Sequence, residues 1–270
     1  MLDPFVLRAI WGILFASLST PVSVIMLLRG ALYITPEISH AALGGAAVGV
    51  LIQLFFPGLP DPFFFAVLFC IATSLFVSRI GKGGQQALGM MLSVSLATSV
   101  MLYAIIRSYL PIDRRVAVDS YLVSDLLLLS DMDVLSIAVV STVAIVVTAV
   151  LYREFIYICF DMETAESLGL RVGLYDSLLF TVSAVTVAVV ARTMGVLLSV
   201  TFLVIPAAVS RLLARRTGKM LVTSFIAAIL SGLGGIAISL FYNVPTSGAI
   251  ALVSISLFLS AYSIKLILSR

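Results

Sequence analysis

The sequence predicts an all-α integral membrane protein, a polytopic helix bundle of about nine transmembrane spans. Three observations lead there. Of the 270 residues, 61% are hydrophobic and only 11% charged, whereas a soluble domain carries about 25% charged residues. The apolar residues fall in runs near the roughly 20 needed for a helix to cross a bilayer. Strand-period alternation is absent from the sequence, which argues against a β-barrel. The net charge of +3 is too small to point to nucleic acid, so the expected surroundings are a lipid bilayer.

Taken in order, the apolar runs between polar breaks place spans at 5–28, 38–56, 63–78, 87–110, 134–152, 177–191, 195–213, 220–241 and 247–267. Together they read as a single transmembrane domain over 1–270. The opening MLDPFVLRAIWG has neither the basic start nor the small-residue cleavage site of a signal peptide, so it is expected to lead straight into the first span. The second span carries the small residues Gly44, Gly45, Ala46, Ala47 and Gly49, which permit close helix approach. Cys70 and Cys159 lie far apart in apolar context and suggest neither a disulfide framework nor a zinc motif. Pro206 inside the seventh span is a kink rather than a stop, since spans tolerate proline where neighbours repair the freed carbonyl.

Charge placement supports splitting the sixth and seventh spans at Arg192-Thr193-Met194-Gly195. With nine spans, the basic run Arg211–Lys219 lies in the cytoplasm together with Arg29, Arg79, Lys82, Arg153, Arg171, Lys265 and Arg270. That is eleven of the sixteen lysines and arginines. The positive-inside rule then puts the N-terminus outside and the C-terminus in the cytoplasm, in the cell (inner) membrane. Fusing the two spans would export the most basic loop. Arg192 itself reads as a side chain snorkelling to the outer surface.

Two loops carry more than a connection. The external segment 111–133 holds five aspartates and an apolar turn, Tyr121–Leu129, expected as a short re-entrant or interfacial helix covered by protein. In the internal segment 153–176, the stretch DMETAESLG from Asp161 to Gly169 reads as a short helix. Its first turn is acidic, Ala and Leu lie within, and Gly ends it. So short a helix is not stable alone in water, so its own membrane domain or a partner docked beneath must hold it. Gly83-Gly84 is a short loop with no strand before it, and the chain contains no G-x-x-x-x-G-K-[ST] nucleotide loop.

The chemistry-bearing stretch is Arg29–Gly49, RGALYITPEISHAALGGAAVG, which holds the only histidine of the chain, His40. Once the helix restarts after Thr35-Pro36, Glu37 and His40 stand i, i+3 on one face. Such a pair can relay a proton, pair internally or bind a metal ion. The plainer reading is a helix start with an acidic first-turn residue, worth a few tenths of a kcal/mol. An intramembrane metalloprotease is disfavoured, because HExxH is missing and one histidine leaves too few ligands for catalytic zinc.

Five pieces, in order, make the chain similar to a known family. They are Ser39-His40-Ala41 within the opening stretch, AVDSYLVSDLL over 117–127, DMETAESLG over 161–169, MGVLLSVTFLVIPAAVSR over 194–211 and FYNVPTSGA over 241–249. Their joint order resembles the membrane permease subunits of ABC transporters that import zinc, manganese or iron. That resemblance implies a transport subunit, not an enzyme. Its partners would be a second permease chain in a homodimer, ABC ATPase subunits beneath, and an extracytoplasmic metal-binding protein. It implies no tightly bound cofactor, only the transported divalent ion.

By the same resemblance, the helix with Asp161, Glu163, Ala165 and Gly169 is the cytoplasmic coupling helix that docks on the ATPase. His40 would lie on the ion path, with Glu37 and Asp125 as further metal contacts. The chain departs from the family pattern at three places. Pro36 stands where relatives carry an aspartate, with the carboxylate one place later at Glu37; Asn243 replaces an aspartate; and Ser124 replaces a glycine. One histidine with carboxylates suits Mn²⁺, Fe²⁺ or Zn²⁺ and disfavours copper(I). The alternatives carried forward are a permease for iron chelates or cobalamin, and an ATP-independent ion carrier or channel.

Overall fold

A computed structural model of the chain describes residues 3–56, 58, 60–80, 85–122 and 124–268. The glycine loop at 83–84 lies outside them. The described residues form helices α1 (Pro4–Ser17), α2 (Thr20–Leu28), α3 (Thr35–Phe55), α4 (Pro62–Ile80), α5 (Gln85–Tyr109), α6 (Ile112–Leu122) and α7 (Asp131–Val150). Six more follow: α8 (Tyr152–Phe160), α9 (Met162–Ser167), α10 (Val172–Met194), α11 (Val196–Leu213), α12 (Thr217–Tyr242) and α13 (Thr246–Leu268). No strand occurs among the described residues. Among the described residues, nine segments are long and apolar enough to cross a membrane, α1 and α2 together making the first. The all-α, nine-span reading therefore holds.

The core forms around α3, which packs on α4, α5, α10 and α11. Glycines make this possible. A Cβ at Gly45 would sit 2.7 Å from the Phe65 carbonyl oxygen, and one at Gly49 2.9 Å from Pro62 Cα, so α3 and α4 touch backbone to backbone. At Gly44 the neighbour is Ser99 of α5, whose hydroxyl donates to the His40 carbonyl at 2.7 Å. Across the other contact, the Ser39 and Ser199 hydroxyls bond at 3.1 Å, tying α3 to α11. The small-residue reading of this stretch is borne out by geometry. Cys70 and Cys159 are free thiols.

The split between α10 and α11 falls on a single residue, Gly195, at φ +82°. A Cβ there would come within 3.1 Å of the Leu122 carbonyl oxygen and the Ser124 amide nitrogen. Glycine is required on both counts. Similarly, Asn243 ends α12 at φ 51°, a left-handed position that asparagine adopts more readily than most side chains.

Several boundaries differ from the sequence expectation. Helix α10 begins at Val172 rather than 177, because Asp176 is neutralised by Arg29 (2.8 Å), a residue far away in sequence. Helix α3 begins at Thr35 rather than 38, with Pro36 in its first turn, where a missing amide costs nothing. In the external segment, the main helix is α6, which begins before the expected apolar turn. Tyr121 and Leu122 of the expected turn end α6, and among the described residues that follow a 3₁₀ turn forms at Leu126–Leu128. α6 buries Val118 and Tyr121 in the core and adds polar contacts: Tyr103 donates to Asp119 (2.8 Å), and Arg115 donates to the Leu110 carbonyl (2.6 Å). The internal segment contains an additional helix, α8, whose Phe155 and Ile158 are buried.

Ion pairs gather at the two ends of the bundle. At one, Arg8 pairs with Asp131 (2.7 Å), and Arg192 lies 3.6 Å from Asp61 and 4.0 Å from Asp133. Its guanidinium also stands 4.6 Å over the Phe63 ring. Arg192 thus binds the ends of α4, α7 and α10 rather than reaching away from them. At the other end stands the Arg29–Asp176 pair.

Candidate functional site

Glu37 lies in the first turn of α3, 3% exposed. Its Oε1 is buried and has no hydrogen-bond partner. An unpartnered polar atom in a protein interior costs of the order of 1–3 kcal/mol, so this arrangement calls for a compensating ligand or function. The carboxyl group borders a cavity of about 400 Å³ between α3, α4 and α5, with Thr73, Ser95, Thr98 and Ser99 among otherwise apolar walls. His40, about 60° round the same helix, is half-buried, and its Nδ1 is likewise enclosed without a partner. It does not line that cavity. The helix thus brings the two groups one turn apart, each with an unused donor or acceptor.

Asp125 belongs to another place. Its Oδ1 accepts from the Thr246 hydroxyl and from the Leu127 amide (3.2 Å), capping the Leu126–Leu128 turn. The structure does not gather Glu37, His40 and Asp125 into one cluster. Among the described residues, no group of three or more His, Cys, Asp or Glu side chains could hold a metal ion.

The expected helix of the internal segment forms as α9, capped by Asp161, which accepts from the Thr164 amide (3.0 Å) and from its hydroxyl. These hydrogen bonds hold the Asp161 carboxyl below the usual carboxylate range. Ala165 is fully buried, while Glu163 and its neighbours face outward. Gly169 closes the helix at φ +82°, its amide donating to the Glu166 carbonyl (2.9 Å). Beside it, burial pushes the Cys159 thiol up to about 12, so it stays protonated.

Sequence reading missed two polar partnerships. Thr246, fully buried, both donates to Asp125 and accepts from the Leu126 amide (3.2 Å). Arg29, read only as a topological charge, bonds Asp176 and reaches Met162 Sδ (3.5 Å). Neither pairing leaves a signal in local sequence, since the partners lie more than a hundred positions apart.

The described residues thus form a bundle of nine candidate spans built round a glycine-packed helix, with a capped helix at one end. The chain belongs to the ABC 3 transport family, whose model matches residues 2–265. It is thus a membrane permease subunit of an ABC transporter and not an enzyme; ATP hydrolysis belongs to a separate subunit.

Among its relatives are the manganese transport system membrane protein MntC of Listeria monocytogenes and the high-affinity zinc uptake system membrane protein ZnuB of Haemophilus influenzae. The first is 26% identical over 88% of this chain and 82% of its own length. The second is 24% identical over 92% of each. In fold, the chain is similar to the solved PsaBC from Streptococcus pneumoniae in complex with Fab, with a TM-score of 0.80 over 96% of this chain and 91% of that one, at 24% identity. An inward-facing transporter described as metal-chelate type gives 0.72 at 18% identity, over 95% of this chain and 85% of that one.

Proposed function

We propose that the chain is the permease of an ATP-driven importer of a divalent transition-metal ion, manganese or zinc, in the cell membrane. Relatives named for manganese and zinc transport support that cargo. The observation that carries the site is the pair of enclosed, unpartnered atoms Glu37 Oε1 and His40 Nδ1, one turn apart on the central helix. A carboxylate oxygen and a neutral imidazole suit either ion. Two ligands without a third hold it loosely, as a site that must release its cargo requires.

Alternating access would be driven by ABC ATPase subunits docked on α9, through Asp161, Glu163, Ala165 and Gly169. A second copy of the permease would complete the pathway, and an extracytoplasmic binding protein would deliver the ion. Asp125, with one oxygen already engaged by Thr246, would be a lesser contact at the outer end. In this orientation the N-terminus is outside and the C-terminus cytoplasmic. A Glu163→Cys variant labelled only from outside intact cells would overturn that placement.

The deciding measurement is uptake of Mn²⁺ and Zn²⁺, each competing with the other and with Fe²⁺, in vesicles holding the permease with its ATPase. His40→Ala should lower uptake about tenfold with assembly intact, the change made by a lost contact of about 1.4 kcal/mol. Glu37→Gln, which keeps an oxygen ligand and loses the charge, should do less. Parental uptake and metal preference in both variants would place the site elsewhere. ATP-independent uptake would return the carrier or channel reading.

A further inference from the structure

We infer that Arg29 is a positioning residue for transport, the tie through which displacement of α9 reaches the helix bearing Glu37 and His40. Its place in the chain suits that role. Arg29 ends α2, and the chain then turns through Gly30 at φ +76° and the 3₁₀ turn Leu32–Ile34 straight into α3. A shift of Arg29 is therefore a shift of the α3 start, where Glu37 stands.

The contacts of Arg29 run to the other side of the junction. Nε bonds Asp176 Oδ1 at 2.8 Å, near the start of α10, and Nη2 reaches the sulfur of Met162, the first residue of α9, at 3.5 Å. The paired side chains are only 21% and 14% exposed. A pair this withdrawn from water differs from a surface ion pair, which contributes little, because removing one partner strands the other charge. The pair lines a cavity of about 410 Å³ with polar and apolar walls, Tyr33, Ser78 and Glu166 among them. The guanidinium thus contacts α9 through Met162 and α10 through Asp176, while the backbone joins Arg29 to α3.

α3 is in turn poorly able to move alone. Backbone contact at Gly45 and Gly49 joins it to α4, and Ser99 joins it to α5. A pull at Arg29 would therefore carry these helices, and the cavity that Glu37 borders, as one block. A tight core transmits such a shift instead of absorbing it.

The inference rests on α9 being the ATPase contact, and its test separates the two ideas. The complete transporter, permease with its ATPase subunits and binding protein, is reconstituted in vesicles, and Mn²⁺ uptake and ATP hydrolysis are measured together. Arg29→Ala and Asp176→Ala should leave hydrolysis near the parental rate and lower Mn²⁺ moved per ATP about three- to tenfold, the usual span for a lost coupling contact. The swapped pair Arg29→Asp with Asp176→Arg should recover most of that ratio, and Arg29→Lys should fall between. Should neither single variant assemble, the swapped pair and Arg29→Lys carry the same ratio test.

Uptake and hydrolysis falling in equal proportion would overturn the tie, as would a swapped pair no better than either single variant. A wrong assignment of α9 declares itself differently: the ATPase would then stay bound when α9 itself is displaced by Ala165→Trp, whatever the ratio.

Discussion

At one end of α10, Asp125 caps the Leu126–Leu128 turn through the Leu127 amide; at the other, Asp161 caps α9 through the Thr164 amide. The local chemistry is the same, an aspartate satisfying the orphan amide of a first turn. The packing differs. Leu126 and Leu129 of the first segment are buried at 0% and 3%, among core residues of α1, α7 and α12, and Leu128 between them is exposed at 77%. Its aspartate is fastened from behind by Thr246. In the second, Ala165 alone is buried, and Leu168 stands 64% exposed. A cap marks where a turn begins; burial of the residues after it says whether the turn closes the protein on itself or waits for something else. The first closes against the core of the bundle, and the second leaves an outward face.

The strongest way to break that contrast is to shorten a leucine at each end. Leu126→Ala should destabilise the permease by about 2–5 kcal/mol, the range for a fully buried leucine, read as a lower melting temperature in detergent. Leu168→Ala should leave the melting temperature nearly unchanged and weaken ATPase association instead. Equal losses of stability would erase the distinction.

Next in size is Ala165→Trp. The Ala165 side chain is fully enclosed where α9 meets its neighbours α8 and α10, so an indole there must lift the helix. Overpacking of this kind costs about 1–3 kcal/mol, enough to weaken ATPase association about tenfold. Membrane insertion, set by the nine spans, should persist. Normal co-purification of the ATPase would remove α9 from the interface.

How much of this was legible in the sequence follows from which interactions are local. Apolar run length gave the nine spans, and charge parity gave a break within Arg192–Gly195, which the structure puts at Gly195, a position whose φ and crowding admit only glycine. The α9 stop signal at Gly169 and its acidic start were also plain. The start of α10 was not, because Asp176 looks like a polar end until Arg29 neutralises it from across the fold. α8 was hidden for a related reason: Arg153 and Glu154 interrupt a run whose Phe155 and Ile158 are nonetheless core. The Glu37–His40 spacing was visible as a helix face, while the separate place of Asp125 depended on Thr246, which no local pattern links to it. Arg192 read as a lone charge, because its partners Asp61 and Asp133 come from other helices.

The finest test of the contrast concerns the Asp161 cap. Hydrogen bonds from the Thr164 side chain and amide hold this carboxyl below its ordinary value of 3.8. A depressed carboxylate stabilises the fold fully above its unfolded value, and that contribution is lost as pH falls through the lower, folded one. At any pH well above 3.8 the cap should therefore be intact, and α9 should not respond to pH through Asp161. Amide exchange at Thr164 and Ala165 in the membrane-embedded permease provides the measure. Protection should hold steady across the neutral range once the intrinsic pH dependence of exchange is removed. Asp161→Ala should lower that protection modestly at every such pH, because the cap is exposed and water competes for the freed amide. Asp161→Asn, which keeps an acceptor oxygen, should retain most of it. A fall in corrected protection between neutral and mildly acidic pH in the parental protein would show that another group governs α9, and the likeness of the two aspartate caps would then be superficial.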